Sequence, residues 1–228
     1  MEFIFMLTHN DSTVAEPAAV YDGLRGTDLR FVGFKDIGAT PEELAVVAGK
    51  AHADGLQVML EVVSTSRESE LASLEAARRI GVDWVMGGTH AVDGVRILAG
   101  SGIRYLPFPG RIEGHPSVLL GSIAEIAGDA RELTARDGVH GLDLLAYRHR
   151  DEDPIALTRE VVAAAAGPVV VAGSIATAEQ IRLVGSTGAW GFTIGGAIFE
   201  GRLPGAPDLA AQIAEVLRIT AGAGAGVD

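Results

Sequence analysis

The chain has 228 residues, 48% of them apolar, with 30 acidic side chains against 18 basic ones, a formal net charge of −12 and no cysteine. That composition suits one globular domain with a sizeable core and excludes a disordered chain, a disulfide framework, a thiolate metal site and a cysteine nucleophile. An acidic surface repels nucleic-acid phosphate and anionic lipid, so neither nucleic acid nor a membrane is expected as a partner, and no run of about 18 apolar residues reads as a span.

In chain order, short apolar runs alternate with longer helical patterns. Strands are expected at about 3–8, 30–35, 57–62, 84–87, 104–107, 141–147, 168–172 and 191–195. They are rich in Val, Ile, Leu and Phe with little polar alternation, as in strands covered on both faces of a parallel sheet. Between them, Thr40-Pro41-Glu42-Glu43 and Thr177-Ala178-Glu179-Gln180 carry capping boxes that start helices, and Gly55, Gly81 and Gly167 stand where helices end. Eight such units in 228 residues is about 28 residues per unit, compact enough for a single-domain (β/α)8 barrel of parallel strands. The barrel is expected over residues 1–220, followed by a flexible low-complexity tail at 221–228. The opening MEFIFMLTHND has no basic segment followed by an apolar stretch, so a cytoplasmic location is expected.

Two segments near the C-terminal end carry the most specific signal. Residues 169–177 read VVVAGSIAT and residues 191–199 read GFTIGGAIF. Each is an apolar strand that ends in small residues and runs into a helix. Gly173, Ser174, Gly195 and Gly196 let the backbone approach a ligand closely and present N–H groups to it, which is what a phosphate monoester needs on an acidic protein. A weak echo joins the segment 81–88, GVDWVMGG, to 188–196, GAWGFTIGG. Half-barrel duplication and two independent glycine turns both account for it.

Over residues 168–201, through Ala172-Gly173-Ser174 and the IGGAIF stretch at 194–199, the chain resembles the ribulose-phosphate-binding barrel superfamily. That group includes histidine- and tryptophan-pathway isomerases and synthases, a pentose-phosphate epimerase, and keto-sugar-phosphate decarboxylases and aldolases. The resemblance implies a TIM barrel with a small phosphorylated substrate at the C-terminal ends of its strands. The chain departs from the group at several points. Leu60-Glu61-Val62-Val63-Ser64 has no glycine for a second phosphate, Asp11 is shifted from the paired aspartates of the sugar isomerases, and Pro107-Phe108-Pro109-Gly110 supplies no second one. These departures leave the individual member of the superfamily unassigned.

In a barrel, polar groups at strand C-termini face the site. Lys35, one of only two lysines, and Glu61 interrupt apolar strands and are expected to pair on neighbouring strands. A lysine beside a carboxylate can serve as acid and base next to a carbonyl, or form a Schiff base. His9 and His90 are candidate proton shuttles. Asp11, Arg148 and His149 are candidate substrate or phosphate contacts, as is Arg111, held over the mouth by the prolines of a stiff loop. Each also has a structural reading as an ion pair, wall residue or solvated charge. Asp143, early in its strand, is expected to face another layer, and His52, His115 and His140 to be structural or solvated. No close-spaced ligand motif calls for a metal, no Gly-x-Gly-x-x-Gly follows the first strand, and no cofactor is expected. The function expected is isomerisation or epimerisation of a small phosphorylated sugar or keto acid through an enolate-like intermediate. A Schiff-base aldolase or lyase using Lys35 and a non-catalytic phosphometabolite-binding barrel are the alternatives. The partner is then a small phosphorylated substrate, and assembly into a homo-oligomer is compatible with the sequence.

Overall fold

A computed structural model describes residues 1–64 and 66–223. Eight parallel strands make the central sheet: β1 (Glu2–Met6), β2 (Phe31–Lys35), β3 (Gln57–Val62), β4 (Trp84–Gly87), β5 (Arg104–Leu106), β6 (Leu142–Leu144), β7 (Val169–Val171) and β8 (Gly191–Ile194). Their order around the sheet is β6-β7-β8-β1-β2-β3-β4-β5. The remaining seam, between β5 and β6, has no continuous ladder and is bridged by isolated bonds. The His140 amide donates to the Tyr105 carbonyl at 2.8 Å and the Asp143 amide to the Pro107 carbonyl at 3.2 Å, while the Tyr105 amide donates to His140 Nδ1 at 3.1 Å. The result is a nearly closed TIM barrel, in which β6 stands across the axis from β2.

Nine helices lie among the described residues: α1 (Pro17–Asp22), α2 (Pro41–Ala53), α3 (Arg67–Ile80), α4 (Ala91–Leu98), α5 (Ile123–Thr134), α6 (Pro154–Ala164), α7 (Ala178–Gly185), α8 (Gly196–Phe199) and α9 (Leu209–Ala223). The capping boxes of α2 and α7 form as read, with Thr40 and Thr177 accepting from the amides of Glu43 and Gln180. α9 continues through residues 221–223, because it packs on α7 and β1; the rest of the expected tail, 224–228, lies outside the described residues.

Alternation along each strand sorts the side chains into two cores. Phe3, Phe5, Val32, Phe34, Leu60, Leu142 and Leu144 pack outward under the helices, while Ile4, Met6, Phe31, Met59, Trp84, Met86, Leu106 and Val170 fill the barrel. The N-terminal end is sealed by aromatic rings. Trp84 stacks on Trp190 with centroids 5.2 Å apart, and Phe31 meets Trp190 edge-on at 5.4 Å. Arg104 lies over Trp84 at 4.6 Å. Apolar side chains close one end, so a ligand has access only from the other, where the strands end in polar residues.

Candidate active site

The chain leaves β1 into a tight antiparallel hairpin, Thr8–His9 paired with Ser12–Thr13. Its two central residues, Asn10 (φ 50°) and Asp11 (φ 61°), are both left-handed. Asn and Asp tolerate that region, and a two-residue loop of this hand matches the strand twist. Thr13 fastens the hairpin to the end of β2: its hydroxyl accepts from the Lys35 amide and donates to the Lys35 carbonyl, each at 2.9 Å. Asp11 is thereby delivered to the side chain at the end of β2.

A buried charge cluster results. One oxygen of Asp11, Oδ1, accepts from Lys35 Nζ and, at 2.6 Å, from Arg148 Nη2. Lys35 Nζ also lies 3.7 Å from Glu61 Oε2 on β3, as the pairing of Lys35 with Glu61 in the β2–β3 ladder requires. Burial raises the affinity of Asp11 for a proton. The hydrogen bond from Arg148 and the charge of Lys35 outweigh that effect and hold the carboxyl below its ordinary range. Burial likewise opposes the charge of Arg148, and Asp11, with Glu61 and Asp143 behind it, pushes the guanidinium the other way, so its net shift is upward.

Asp143, in the middle of β6, points into the barrel and is fully buried. β6 is only three residues long, Leu142 and Leu144 face the helices, and the residue between them must face the axis. Neither of its oxygens has a hydrogen-bond partner among the described residues. Burial first, and the negative charge of Glu61 second, push its carboxyl well above the usual range; Lys35 and Arg148 pull the other way without cancelling this.

Beside the cluster are the two glycine-bearing turns. Gly173 (φ 83°) and Ser174 (φ 50°) are left-handed after β7. A Cβ at Gly173 would sit 2.7 Å from Cγ of Arg148, so glycine here makes room for the arginine as well as the turn. After β8 the chain passes through Gly195 directly into α8. Among the described residues, the amides of Gly173, Ser174, Gly196 and Ala197 donate no hydrogen bond. Both turns, the hairpin with His9 and Asp11, and Lys35, Glu61 and Arg148 line one polar cleft of about 220 Å³. His9 stands at its rim, 3.2 Å from Glu200.

His90, Arg111 and His149 are not brought there. Nδ1 of His90 is 2.7 Å from the carboxylate of Glu70, at the start of α4. Arg111 lies on a second hairpin, Arg111–Glu113 with Val118–Leu120, exposed and paired with Glu113 at 3.2 Å. His149 spans a loop, with Nε2 2.6 Å from the Gly121 carbonyl and Nδ1 accepting from the amides of Asp151 and Glu152. Both ring nitrogens are thus committed. Asp11 reaches the cleft, where its carboxylate serves the cations, a poor partner for phosphate. Among the described residues no three His, Asp or Glu side chains form a metal-binding group.

Two residues at the site were not expected there. Arg202 lines the cleft, its Nε 2.6 Å from Glu200. His115, expected to be structural or solvated, is carried over the mouth by the second hairpin and lies 3.6 Å from Oδ2 of Asp11. A cleft-facing arginine a few residues beyond the glycine pair was a readable signal; the reach of a hairpin was not.

Comparison with known proteins finds no matching family model and no matching curated protein sequence. Solved structures share the fold over nearly the whole chain. A native KDPGal structure is 16% identical with a TM-score of 0.67, covering 98% of this chain and 96% of its own. Orotidine 5'-phosphate decarboxylase from Pyrococcus horikoshii OT3 is 10% identical with a TM-score of 0.69, covering 96% and 99%. Phosphoribosylanthranilate isomerase from Thermotoga maritima is 13% identical with a TM-score of 0.64, covering 97% and 99%. These neighbours are ribulose-phosphate-binding barrels, the group that the β7 and β8 turns resemble in sequence. At such identities the likeness establishes the TIM-barrel fold. No helix among the described residues is long and apolar enough to cross a membrane.

Proposed function

We propose that the protein is an enzyme that isomerises or epimerises a small phosphorylated sugar or keto acid through an enolate. One observation carries this reading: unpaired main-chain amides at two strand ends open into the same cleft as a buried lysine–carboxylate pair. The amides of Gly173, Ser174, Gly196 and Ala197 receive the phosphate, with Arg202 at the edge to add charge. Glu61 takes a proton from the carbon beside the substrate carbonyl and returns it to the neighbouring carbon or the opposite face. Lys35 and Arg148 donate to the oxygen on which negative charge develops. His9 is placed to exchange protons with a substrate hydroxyl at the rim. The isomerase and decarboxylase among the structural neighbours support phosphate-ester chemistry on this fold by analogy.

The test is proton exchange. Sugar phosphates and phosphorylated keto acids are incubated with the protein in D2O, and replacement of the carbon-bound proton is followed by NMR. Exchange with one of them, reduced roughly 10²-fold or more in Glu61→Gln, is expected; no exchange across the panel contradicts enolisation.

A second reading, a Schiff-base lyase, is favoured by the placement of Lys35, whose amine is buried at the cleft floor with carboxylates beside it. There the amine adds to the substrate carbonyl, water leaves, and the iminium accepts the electron pair of the broken carbon–carbon bond. Borohydride reduction with substrate separates the two readings, since a covalent adduct on Lys35 requires the imine. Binding without exchange or cleavage would leave a phosphometabolite-binding protein.

A further inference from the structure

The unpartnered carboxyl of Asp143 is the feature that the mechanism above does not use. It is fully buried, so substrate in the cleft does not touch it. Among the described residues it makes neither a hydrogen bond nor an ion pair. A carboxylate in that position is a poor choice for stability, since leucine or asparagine would fill the space without an unsatisfied charge. Its surroundings suggest what it does. The groups that act on it electrostatically are Glu61 on β3, Lys35 on β2 and Arg148 on the turn after its own strand, and Asp11 from the β1 hairpin binds both cations. Three carboxyl groups therefore share two cations in a site shielded from water. Asp11 binds both cations, Glu61 lies 3.7 Å from Lys35 and His115 approaches Asp11 at the mouth, so the charges balance when the remaining carboxyl keeps its proton. Asp143 is the one without a cationic partner.

We propose that Asp143 is a positioning residue: as a neutral acid beneath the cleft it adds no second negative charge beside Glu61 and reserves the positive charge of Lys35 and Arg148 for the substrate oxyanion. Ionising Asp143 would put a second buried negative charge against Glu61. Part of the cationic field of Lys35 and Arg148 would then be spent on Asp143. This role deepens the enolising reading, yet the titration that tests it requires no substrate, so absence of exchange in D2O would count against that reading alone.

The experiment is carboxyl 13C NMR on the intact protein labelled at Asp and Glu, titrated with pH, with Asp143→Asn and Glu61→Gln assigning the two signals. The expected result is an Asp143 signal, absent from Asp143→Asn, that titrates well above the ordinary aspartate value of roughly 3.9. If Asp143→Asn does not fold, Glu61→Gln carries the test: the Asp143 midpoint should fall once its like-charged neighbour is gone. An Asp143 signal in the ordinary range overturns the proposal. So does an Asp143 midpoint that stays in place in Glu61→Gln, because a purely structural carboxyl would behave in that way.

Discussion

The Gly-Gly turns after β4 and β8 occupy corresponding places in the two halves of the barrel, and each leads into a helix. After β8 the amides of Gly196 and Ala197 face an open cleft. After β4 the corresponding space is taken by the buried carboxylate of Glu70, from the first turn of α3. It accepts from the amides of Thr89 at 3.0 Å and His90 at 2.8 Å, and from the Thr89 hydroxyl at 3.3 Å. Gly88 (φ 77°) has no room for a side chain, because a Cβ there would lie 2.7 Å from Glu70 Oε1. Both turns present amides that need an anion. One is satisfied by the fold; the other stays open to the cleft, where the proposed phosphate would bind. A glycine motif therefore marks a place that accommodates an anion, and the rest of the chain decides whose anion it is.

Emptying the β4 turn should have the largest effect. Glu70→Ala strands the Thr89 and His90 amides in the interior and should cost about 2–4 kcal/mol, measured by denaturant unfolding; millimolar inorganic phosphate should recover part of the loss. Filling the β8-side cleft is the converse experiment. A protein-supplied carboxylate at Ser174, whose left-handed backbone Asp tolerates, should mimic Glu70. At a ligand concentration of about 100 Kd, the wild-type protein gains roughly 2.7 kcal/mol, or about 5–10 °C in melting temperature. Ser174→Asp should lose that gain while keeping its unliganded fold.

A smaller effect concerns pH. Because the folded-state carboxyl of Asp143 is shifted upward, its neutral form contributes stability that is complete below the unfolded value of roughly 3.9. That contribution fades as the pH rises through the folded value. Asp143→Asn should therefore gain on the wild type with rising pH, in chemical denaturation followed across that window. The smallest change is expected for His90→Ala. It removes one hydrogen bond to Glu70, costs about 1 kcal/mol and leaves deuterium exchange untouched, whereas His9→Ala at the cleft rim should slow it.

The same contrast explains what could be read from the sequence. All eight strands were legible, because strands covered on both faces are continuous apolar runs, and so were Lys35 and Glu61, which break such runs. Gly173, Ser174, Gly195 and Gly196 were legible from their position at strand ends. His90 and Arg111 were misplaced because position after a strand does not tell whether another element has already claimed the side chain. Glu70 claims the first and Glu113 the second. Asp143 carried a signal in the Leu-Asp-Leu alternation of β6, which places the central residue on the face opposite its two leucines. The approach of His115 to Asp11 depends on how far the second hairpin reaches across the mouth, and no local pattern encodes that distance.

The most direct test of the open turn is a titration of 15N-labelled protein with inorganic phosphate, followed by backbone amide NMR. The amides of Gly173, Ser174, Gly196 and Ala197 should shift together and saturate, while those of Thr89 and His90, already satisfied by Glu70, stay still. Unmoved amides at the first four positions, or shifts confined to Thr89 and His90, would contradict the assignment of the β7 and β8 turns as the ligand's anion site.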